Sequence, residues 1–473
     1  MAETPIRTRF APSPTGRLHL GNLRVALFNW LLARAGGGEF LLRIEDTDRE
    51  RGSEAAMHAL VAELRWLGLD WTQGPDQGED SSWRQSARDQ VYQHYYEALV
   101  ASGRAYPCFC SEQRLARMRK RQLSAGEAPR YDGTCAALSL SEARERLAAG
   151  EPAALRFAVP DRDAGVWTDL VRGEQHYQPS LLGDFVIRRT DGTPAFLFCN
   201  AVDDALTGVT HVLRGEDHLA NTPRQLLLLE ALELSAPDYG HTGLLVGEDG
   251  TPLSKRHGHA AVADLRDAGF LPLAVANTLA RLGHTLEAES LLDLPELAAH
   301  FSLQRLGRGP ARFDPGHLGH WQRLAAHALP PQQLQQWLGA VVQDMVPAAE
   351  QARFLDGIQA NVVLPADARY WAGVIYGDDP SPDEEVRAAG AGFYRAALSA
   401  WREHGADTRA IAEAVREATG VGGRAFFRPL RLALTGNAEG PAMDTLLALL
   451  PAETIERRLG RGEQLSVTAT GEN

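Results

Sequence analysis

Two glycine-flanked segments contain residues that could bind the phosphates of a nucleotide. The first is Pro12–Gly16 followed by His19–Asn22, and the second is Leu253–Arg256, which contains Lys255. A histidine at the start of a helix can donate to a phosphate oxygen, and the free N–H groups there favour an anion. A Walker A loop is excluded, because it requires Gly-Lys-Ser/Thr and neither lysine of the chain follows a glycine. A nucleotide would therefore bind through the two segments together.

Lys255 is unusual in this chain, because arginine supplies almost every other cation. The chain contains 48 Lys and Arg residues, of which only Lys120 and Lys255 are lysines. Lysine is a compact point charge on a flexible stem, whereas arginine is a planar fork. Gly21 would let a nucleotide approach the backbone closely. Either segment alone also fits a purely structural role, so the hypothesis depends on the pair.

The segments that must position these residues alternate between strand and helix patterns. Residues 5–11 have the pattern of a strand, and helical spacing begins at Leu20. A second strand pattern covers residues 40–44, and a second helix pattern covers 54–67. This order predicts a parallel sheet with helices on its faces. Strand and helix patterns of the same kind resume at Asn200.

The middle and the end of the chain have different patterns. Residues 106–195 combine cysteines, a basic run and alternating apolar segments, which predicts an inserted α+β region. After Leu265 the strand patterns fade and helical periodicity continues to the C-terminus. The residues after Leu465 are polar, and we expect them to fray.

The composition is typical of a soluble globular enzyme with two to four domains. The chain has 473 residues, of which 44% are hydrophobic and 23% charged, and its net charge is −13. No apolar run is long enough to span a bilayer, and the N-terminus lacks the pattern of a signal peptide. We therefore expect a cytoplasmic protein without a membrane partner. A polyanionic partner would have to bind a local basic patch.

Longer motifs around these residues resemble those of one known family, the class I aminoacyl-tRNA synthetases. The two phosphate-binding segments are similar to the two signatures of that class, and further motifs are similar to its bacterial glutamyl branch. The motifs are RFAPSPTGRLHLGNLRVALFN from Arg9, RIEDTDRER from Arg43, LRGEDHLANTPRQ from Leu213, LSKR from Leu253 and PLRLALTG from Pro429. The resemblance therefore runs from about residue 6 to about residue 450.

The resemblance implies an α/β fold of the class I synthetase type. A Rossmann-like, doubly wound parallel sheet would carry an α+β acceptor-binding insertion and would be followed by an all-α anticodon-binding domain. The expected boundaries are 1–105 and 196–260 for the two halves of the catalytic domain, 106–195 for the insertion, 261–322 for a connecting domain that contacts the tRNA stem, and 323–473 for the anticodon-binding domain.

The resemblance also implies a reaction. L-glutamate would be activated by ATP to glutamyl-adenylate and transferred to the 3′-terminal adenosine of tRNA-Glu, with Mg²⁺ accompanying the ATP. No protein nucleophile is needed, because catalysis consists of positioning and of stabilising charge on the α-phosphate. An enzyme that charges both tRNA-Glu and tRNA-Gln, or mainly tRNA-Gln, has the same motifs. A monomer is expected.

The family's functional residues can be assigned to positions of this chain by resemblance. His19 and Lys255 would be catalytic. The ATP-binding residues would be Pro12, Thr15, Gly16, His19, Gly21, Asn22, Ser254, Lys255 and Arg256. The glutamate-binding residues would be Arg9, Ser13, Glu45, Phe196, Asn200 and Arg214. The two arginines would face the side-chain carboxylate, where a guanidinium fork fits two oxygens, and Glu45 and Ser13 would hold the ammonium.

Two positions depart from the family pattern. Phe196 stands where the family usually has tyrosine, so a hydroxyl contact to the substrate is missing. Pro252 stands where the second signature usually begins with lysine, so only Lys255 remains. A non-catalytic tRNA-binding paralogue is therefore an alternative, although the presence of His19, Lys255 and Glu45 argues against it.

Three of the four cysteines lie close together in the insertion. Cys108, Cys110 and Cys135, with Tyr131, match the zinc-ligand pattern of a shortened family relative that modifies a tRNA base. The resemblance thus implies a structural Zn²⁺, and three free thiols are the alternative. Cys199 is expected to be a buried core residue.

The densest basic run lies beside these cysteines, where the family places contacts to the tRNA acceptor end. It consists of Arg114, Arg117, Arg119, Lys120, Arg121 and Arg130. A solvated helix face would have the same pattern. The shortened relative lacks an anticodon domain, and glutaminyl enzymes usually have a β-barrel there. The helical pattern of the C-terminal third disfavours both.

Overall fold

A computed structural model describes most of the chain. The described residues are 5–48, 52–77, 82–253, 261–381 and 384–470, with side chains described as far as residue 466. The predicted ATP-binding residues Ser254, Lys255 and Arg256 lie outside them. The chain divides into two compact units. These are Met1–Arg266 with Pro272–Leu318, and Asp267–Leu271 with Gly319–Asn473.

The strands are short and the helices predominate. The strands are β1 (Arg7–Phe10), β2 (Glu39–Leu42), β3 (Ala105–Cys108), β4 (Ala154–Phe157), β5 (Gly165–Asp169), β6 (Gly173–Tyr177), β7 (Phe185–Arg188), β8 (His211–Gly215), β9 (Asp238–Thr242), β10 (Leu245–Val246) and β11 (Ala311–Arg312). The helices up to residue 299 are α1 (Leu20–Ala35), α2 (Glu54–Trp66), α3 (Asp89–Ala101), α4 (Glu112–Ser124), α5 (Leu140–Ala148), α6 (Pro179–Leu182), α7 (Phe196–Leu206), α8 (Thr222–Ala231), α9 (Val262–Asp267), α10 (Pro272–Arg281) and α11 (Leu294–Ala299). The later helices are α12 (Pro315–His327), α13 (Pro331–Val342), α14 (Gln351–Ile358), α15 (Pro365–Tyr376), α16 (Glu384–Ala388), α17 (Ala391–His404), α18 (Thr408–Thr419), α19 (Arg424–Thr435), α20 (Met443–Leu449) and α21 (Ala452–Thr470).

Parallel strands from distant parts of the sequence form the centre of the first unit. Strand β1 pairs in parallel with β2, and β8 pairs in parallel with β9. The Thr210 N–H donates to the Arg7 carbonyl over 2.8 Å, which brings β8 beside β1. The predicted α/β architecture with parallel strands and intervening helices is therefore confirmed.

Helix α1, whose N-terminus lies at the predicted phosphate site, is buried along much of its length. Leu23 and Leu27 are 0% exposed, and Leu31 is 1% exposed. Phe28 meets Phe301, with ring centroids 5.4 Å apart. Because the helix is packed along its length, its N-terminus is fixed beside the end of β1.

The region between β3 and β7 is antiparallel, in contrast to the parallel centre. Strand β4 pairs with both β3 and β7, and β5 and β6 form a hairpin. Gly173 has a φ of 77°, a left-handed conformation that glycine adopts without strain and that the reversal of the hairpin uses. The Leu170 N–H donates to the Tyr239 carbonyl over 2.8 Å, so the hairpin joins the edge of β9.

The second unit is all-helical in the part of the chain that the structure describes. Its core includes Phe354, Trp371, Phe393, Phe426 and Leu446, each no more than 6% exposed. The predicted all-α C-terminal region is thus confirmed. Of the described residues, no helix is both long enough and apolar enough to cross a membrane.

Arg458 links the C-terminal ends of two helices inside this unit by hydrogen bonds. Although charged, it is 2% exposed. Its Nη1 donates to the carbonyls of Val374 and Leu434 over 2.7 and 2.5 Å, and its Nη2 donates to the Asp378 carbonyl over 3.0 Å. Val374 and Leu434 lie in the last turns of α15 and α19, where carbonyl groups lack helical partners and attract a cation.

Two details of the structure differ from the sequence-based expectations. A strand, β11, occurs after Leu265 and pairs in parallel with β10, because two extended residues suffice to join the edge of β10. The tail after Leu465 continues helix α21 as far as Thr470. Ser466 is 2% exposed and its hydroxyl donates to the Val386 carbonyl over 3.3 Å, so the first residue of this tail packs against the unit.

Candidate active site

A cavity of about 470 Å³ lies at the carboxyl ends of β1 and β8, where ligands bind in open parallel sheets. The structure brings most of the predicted site residues together around it. Those that line the cavity are Arg9, Pro12, Ser13, Thr15, His19, Gly21, Asn22, Glu45, Phe196, Asn200 and Arg214. Gly16 is not among the lining residues. Pro252 and Leu253 line the cavity immediately before the undescribed segment that contains Lys255.

His19 is the N-cap residue of α1. Its Nδ1 accepts a hydrogen bond from the Asn22 N–H over 3.3 Å. In the neutral ring this acceptor role places the proton on Nε2, which becomes a donor for a ligand. A Cβ atom at Gly21 would lie 3.0 Å from Cε1 and Nδ1 of His19, so glycine at this position leaves room for the ring.

Arg9 and Arg43 converge on the buried carboxylate of Asp204. The Nε and Nη2 of Arg9 donate to the two oxygens of Asp204 over 3.1 and 3.2 Å, and the Nη1 of Arg43 lies 2.7 Å from Oδ1. Burial would raise the pKa of Asp204, but the two arginines hold it below its ordinary value. The fork of Arg9 is thus occupied by Asp204, which leaves at most its Nη1 for a ligand.

Asp203, the neighbouring residue on α7, has its own set of donors. It accepts hydrogen bonds from Gln85 Nε2 over 2.9 Å, Arg88 Nε over 2.7 Å and Tyr92 Oη over 2.8 Å. Asp203 is 0% exposed, so these bonds replace water completely. The segment before α3 and helix α7 are thereby joined behind the cavity.

Glu45 is the buried carboxylate of the cavity wall. It is 6% exposed, and the Asn200 Nδ2 donates to its Oε1. Burial raises the pKa of Glu45 to about 7, although Arg43 and Arg9 act in the opposite direction. The carboxylate therefore changes charge near neutral pH. An ammonium ion bound beside it would favour the ionised form.

Arg214 is held differently from Arg9. Its Nε donates to Nε2 of His241 over 3.0 Å, and its Nη2 donates to Oγ1 of Thr222 over 2.8 Å. The guanidinium lies over the ring of Tyr239, 4.9 Å from its centroid. Its Nη1 is buried and has no partner among the described residues. Burial lowers the pKa of Arg214 to about 10, although Tyr239, Asp204 and Glu45 act in the opposite direction.

Phe196 forms part of the wall at the start of α7. Its ring centroid lies 5.4 Å from that of His218, which also lines the cavity. The phenyl ring thus supplies an apolar surface, where a tyrosine would add a hydroxyl. No hydrogen bond to a ligand is available from this position.

The cysteine cluster brings four potential zinc ligands together. The Sγ atoms of Cys108, Cys110 and Cys135 lie within 4.8 Å of one another. The Tyr131 Oη lies 3.5 Å from the Cys108 Sγ and 3.3 Å from the Cys110 Sγ, and the Cys135 N–H donates to it over 2.9 Å. Cys199 is 0% exposed in the core, as predicted.

The basic run lies mainly on α4. Arg117, Arg119, Lys120 and Arg121 are exposed there. The flanking arginines are partly engaged: Arg114 pairs with a carboxylate and Arg130 with a carbonyl, over 3.0 and 2.8 Å. The exposure fits both a solvated helix face and a surface for a polyanion.

Several residues that shape the cavity are not among those predicted from the sequence. Asp203 and Asp204 follow Asn200 at the helical spacings of three and four residues, a signal that was present on α7. Arg43 and His218 stand inside motifs that were recognised for other residues. His241 lies in a segment that was treated only as a strand.

Comparisons with known proteins identify the class. Residues 5–319 match the family described as tRNA synthetases class I (E and Q), catalytic domain, and residues 393–462 match one described as an anticodon binding domain. The chain therefore belongs to the class I tRNA synthetases of the E and Q group, which confirms the resemblance that the motifs indicated.

Similar proteins share nearly the whole length of the chain. Glutamate–tRNA ligase 2 of Nitrosococcus oceani is 53% identical over 97% of this chain and 98% of its own length. Glutamate–tRNA ligase 2 of Alkalilimnicola ehrlichii is 53% identical over 99% of this chain and its own full length, 100%. The crystal structure of a glutamate–tRNA synthetase from Elizabethkingia anophelis matches with a TM-score of 0.88 at 26% identity, covering 98% of this chain and 100% of that one.

The geometry of His19 predicts that its cap and donor roles can be separated. His19→Asn keeps a good N-cap for the Asn22 N–H but removes the Nε2 donor, whereas His19→Ala removes both. We expect kcat for tRNA charging to fall about 10²–10³-fold in both variants, as when one donor to a charged transition state is lost. The thermal midpoint should fall only for His19→Ala. A wild-type kcat in His19→Asn would contradict the donor role.

The raised pKa of Glu45 predicts a pH-dependent KM for the amino acid. We expect the ammonium group to bind the ionised carboxylate, which is depleted as the pH falls below about 7. KM should therefore fall as the pH rises from 6 to 7.5, by up to about tenfold per unit on the acid side, and then level off. Steady-state charging kinetics measure this. Glu45→Gln is the control, and its KM should be higher and independent of pH. A pH-independent KM in the wild type would contradict the titration of Glu45 in this range.

Proposed function

We propose that the chain is a glutamate–tRNA ligase that activates L-glutamate with ATP and transfers the glutamyl group to the 3′-terminal adenosine of tRNA-Glu. The observation that carries the substrate assignment is the cavity's charge pattern. The cavity lining includes the cation Arg214, whose Nη1 has no partner among the described residues, and the carboxylate of Glu45. A side-chain carboxylate and an ammonium group fit these two sites respectively. Several relatives of similar length are named glutamate–tRNA ligases.

The reaction consists of an in-line attack by the substrate α-carboxylate on the α-phosphate of ATP, with pyrophosphate leaving. A ribose hydroxyl of the terminal adenosine then takes the glutamyl group from the adenylate. The residues of the cavity act by positioning and by electrostatics, so no covalent enzyme intermediate is required. Glu45 and Ser13 hold the ammonium, and Asn200 fixes the orientation of Glu45.

The nucleotide binds at the N-terminus of α1 in this proposal. The Nε2 N–H of His19 and the first N–H groups of α1 donate to phosphate oxygens. Lys255, with Ser254 and Arg256, follows the cavity-lining Leu253 directly in sequence and supplies charge to the leaving phosphates. Mg²⁺ bound to ATP shares that charge.

We further propose that the cysteine cluster binds a structural Zn²⁺. The three thiol groups and the Tyr131 hydroxyl converge within the spacing that a four-coordinate zinc site needs, and thiolate is the ligand that zinc prefers. The metal would fix the start of α4 and the segment around Cys135. The exposed arginines of α4 would then be presented to the acceptor end of the tRNA.

We propose for the domains the roles that the sequence predicts. The insertion, residues 106–195, would hold the acceptor end, residues 261–322 would contact the stem, and residues 323–473 would bind the anticodon. An enzyme of this kind would act in the cytoplasm as a monomer. Charging of tRNA-Gln is the second candidate activity, since the catalytic cavity is the same for both tRNAs.

The proposal is tested by ATP-dependent attachment of labelled glutamate to tRNA-Glu and tRNA-Gln transcripts in separate reactions. We expect tRNA-Glu to be charged, with labelled glutamine as the negative control. Charging of tRNA-Gln as well would assign the second activity. If neither tRNA accepts glutamate, the ligase function is wrong and a non-catalytic tRNA-binding role takes its place.

The zinc proposal is tested by elemental analysis of protein purified without chelator. We expect about one zinc ion per chain, as for a closed structural site. Cys135→Ser should lose the metal, whereas Cys199→Ala, which changes a thiol outside the cluster, should keep it. Absence of zinc from the wild-type protein would show that the cluster consists of free thiols.

A further inference from the structure

A buried histidine and aspartate lie behind Arg214, and the proposed reaction does not use them. His241 on β9 is 0% exposed, and its Nδ1 lies 2.6 Å from Oδ2 of Asp169. The other oxygen of Asp169 accepts from the N–H groups of Val171 and Arg172, each over 2.8 Å, and from the His241 N–H over 3.2 Å. Four donors therefore hold the Asp169 carboxylate ionised and in place.

The hydrogen bonds fix the tautomer of His241. The Nε of Arg214 always carries a hydrogen, so the His241 Nε2 that lies 3.0 Å away must be the acceptor. The proton of the neutral ring is then on Nδ1, where it is donated to Asp169. Burial lowers the pKa of His241, although Asp169 acts in the opposite direction, which agrees with a neutral ring.

The neutral partner distinguishes Arg214 from Arg9 and Arg43. Arg9 and Arg43 both pair with the Asp204 carboxylate. Arg214 instead donates to two uncharged groups, the imidazole of His241 and the hydroxyl of Thr222. Its positive charge is thus left without a counter-charge in contact among the described residues, and its Nη1 is a buried nitrogen without a partner among them.

We propose that His241, oriented by Asp169, is a positioning and specificity residue for the substrate side chain. It holds Arg214 in place with a neutral acceptor and so leaves the charge and the Nη1 of Arg214 for a carboxylate ligand. A carboxylate forms a charge-assisted hydrogen bond there, whereas an amide of the same shape leaves the buried cation unbalanced. The pair therefore favours glutamate over glutamine. This inference rests on the proposed function and adds a determinant of its substrate choice.

Two variants remove the acceptor while keeping a polar side chain at the substituted position. In Asp169→Asn, we expect the amide to donate to Nδ1 of His241, so that the ring proton moves to Nε2. The N–H groups of His241 Nε2 and Arg214 Nε would then face each other. In His241→Asn, the shorter side chain keeps the bond to Asp169 but does not reach Arg214. His241→Gln is the matched control, because its longer side chain places a carbonyl oxygen near the position of Nε2.

Charging kinetics with glutamate and glutamine, on the full-length protein, separate positioning from a general structural role. In Asp169→Asn and His241→Asn we expect KM for glutamate to rise about tenfold or more, the scale of one charge-assisted hydrogen bond. The KM for ATP and kcat should change less than about threefold, since the nucleotide side is untouched. The preference for glutamate over glutamine should fall with the rise in KM, and His241→Gln should restore it.

A second measurement uses the wild-type protein and depends on no variant. The ¹⁵N chemical shifts of His241 should show a protonated Nδ1 and an unprotonated Nε2, and calorimetry should show binding of glutamate but not of glutamine. The opposite tautomer would overturn the proposal, and so would an unchanged glutamate preference in folded Asp169→Asn and His241→Asn. If the wild type binds glutamate but charges no tRNA, the ligase function fails while these measurements still decide the role of His241.

Discussion

The site depends on the compensation of charge buried on one face of α7. Asn200, Asp203 and Asp204 are each no more than 2% exposed, and a buried carboxylate without partners would be strongly destabilising. The partners come from β1, from the residues after β2 and from the segment before α3. Helix α7 follows the insertion, so these ion pairs join the two parts of the sheet that the insertion separates in sequence. The cavity between them has its shape because these pairs are made.

The buried charges around the cavity are compensated unequally. This difference affects which of their side chains can bind a ligand. The Nε and Nη2 atoms of Arg9 both donate to Asp204, so the charge of Arg9 is largely compensated within the protein. Arg214 lies in an equally buried position but is held by neutral groups. Of these two arginines, Arg214 is therefore the one whose charge an incoming carboxylate can satisfy. Glu45 is the complementary case, a carboxylate whose burial is only partly offset by Arg43 and Arg9.

Sequence patterns predicted the elements that have their own periodicity or motif, such as β1, α1 and the all-α second unit. Most residues around the cavity were implied by the resemblance of their motifs to the synthetase family. The structure brings them together because they occupy strand ends and helix starts, which meet at one edge of a parallel sheet. Contacts between distant segments could not be predicted in this way. The pairing of Arg9 with Asp204 spans 195 residues, and only the fold decides that the arginine fork faces this carboxylate. Strand β11 has two residues, which is too short for any periodicity.

The insertion contacts the sheet that it interrupts in sequence. Its β5–β6 hairpin joins β9 through the Leu170 N–H, and Arg172 at its turn forms an ion pair with Glu216, just after β8. The same turn supplies the Asp169 carboxylate that fixes His241. Asp169, a residue of the insertion, therefore contacts the same histidine as Arg214. The element proposed to hold the tRNA acceptor end and the proposed amino-acid cavity thus share one set of hydrogen bonds.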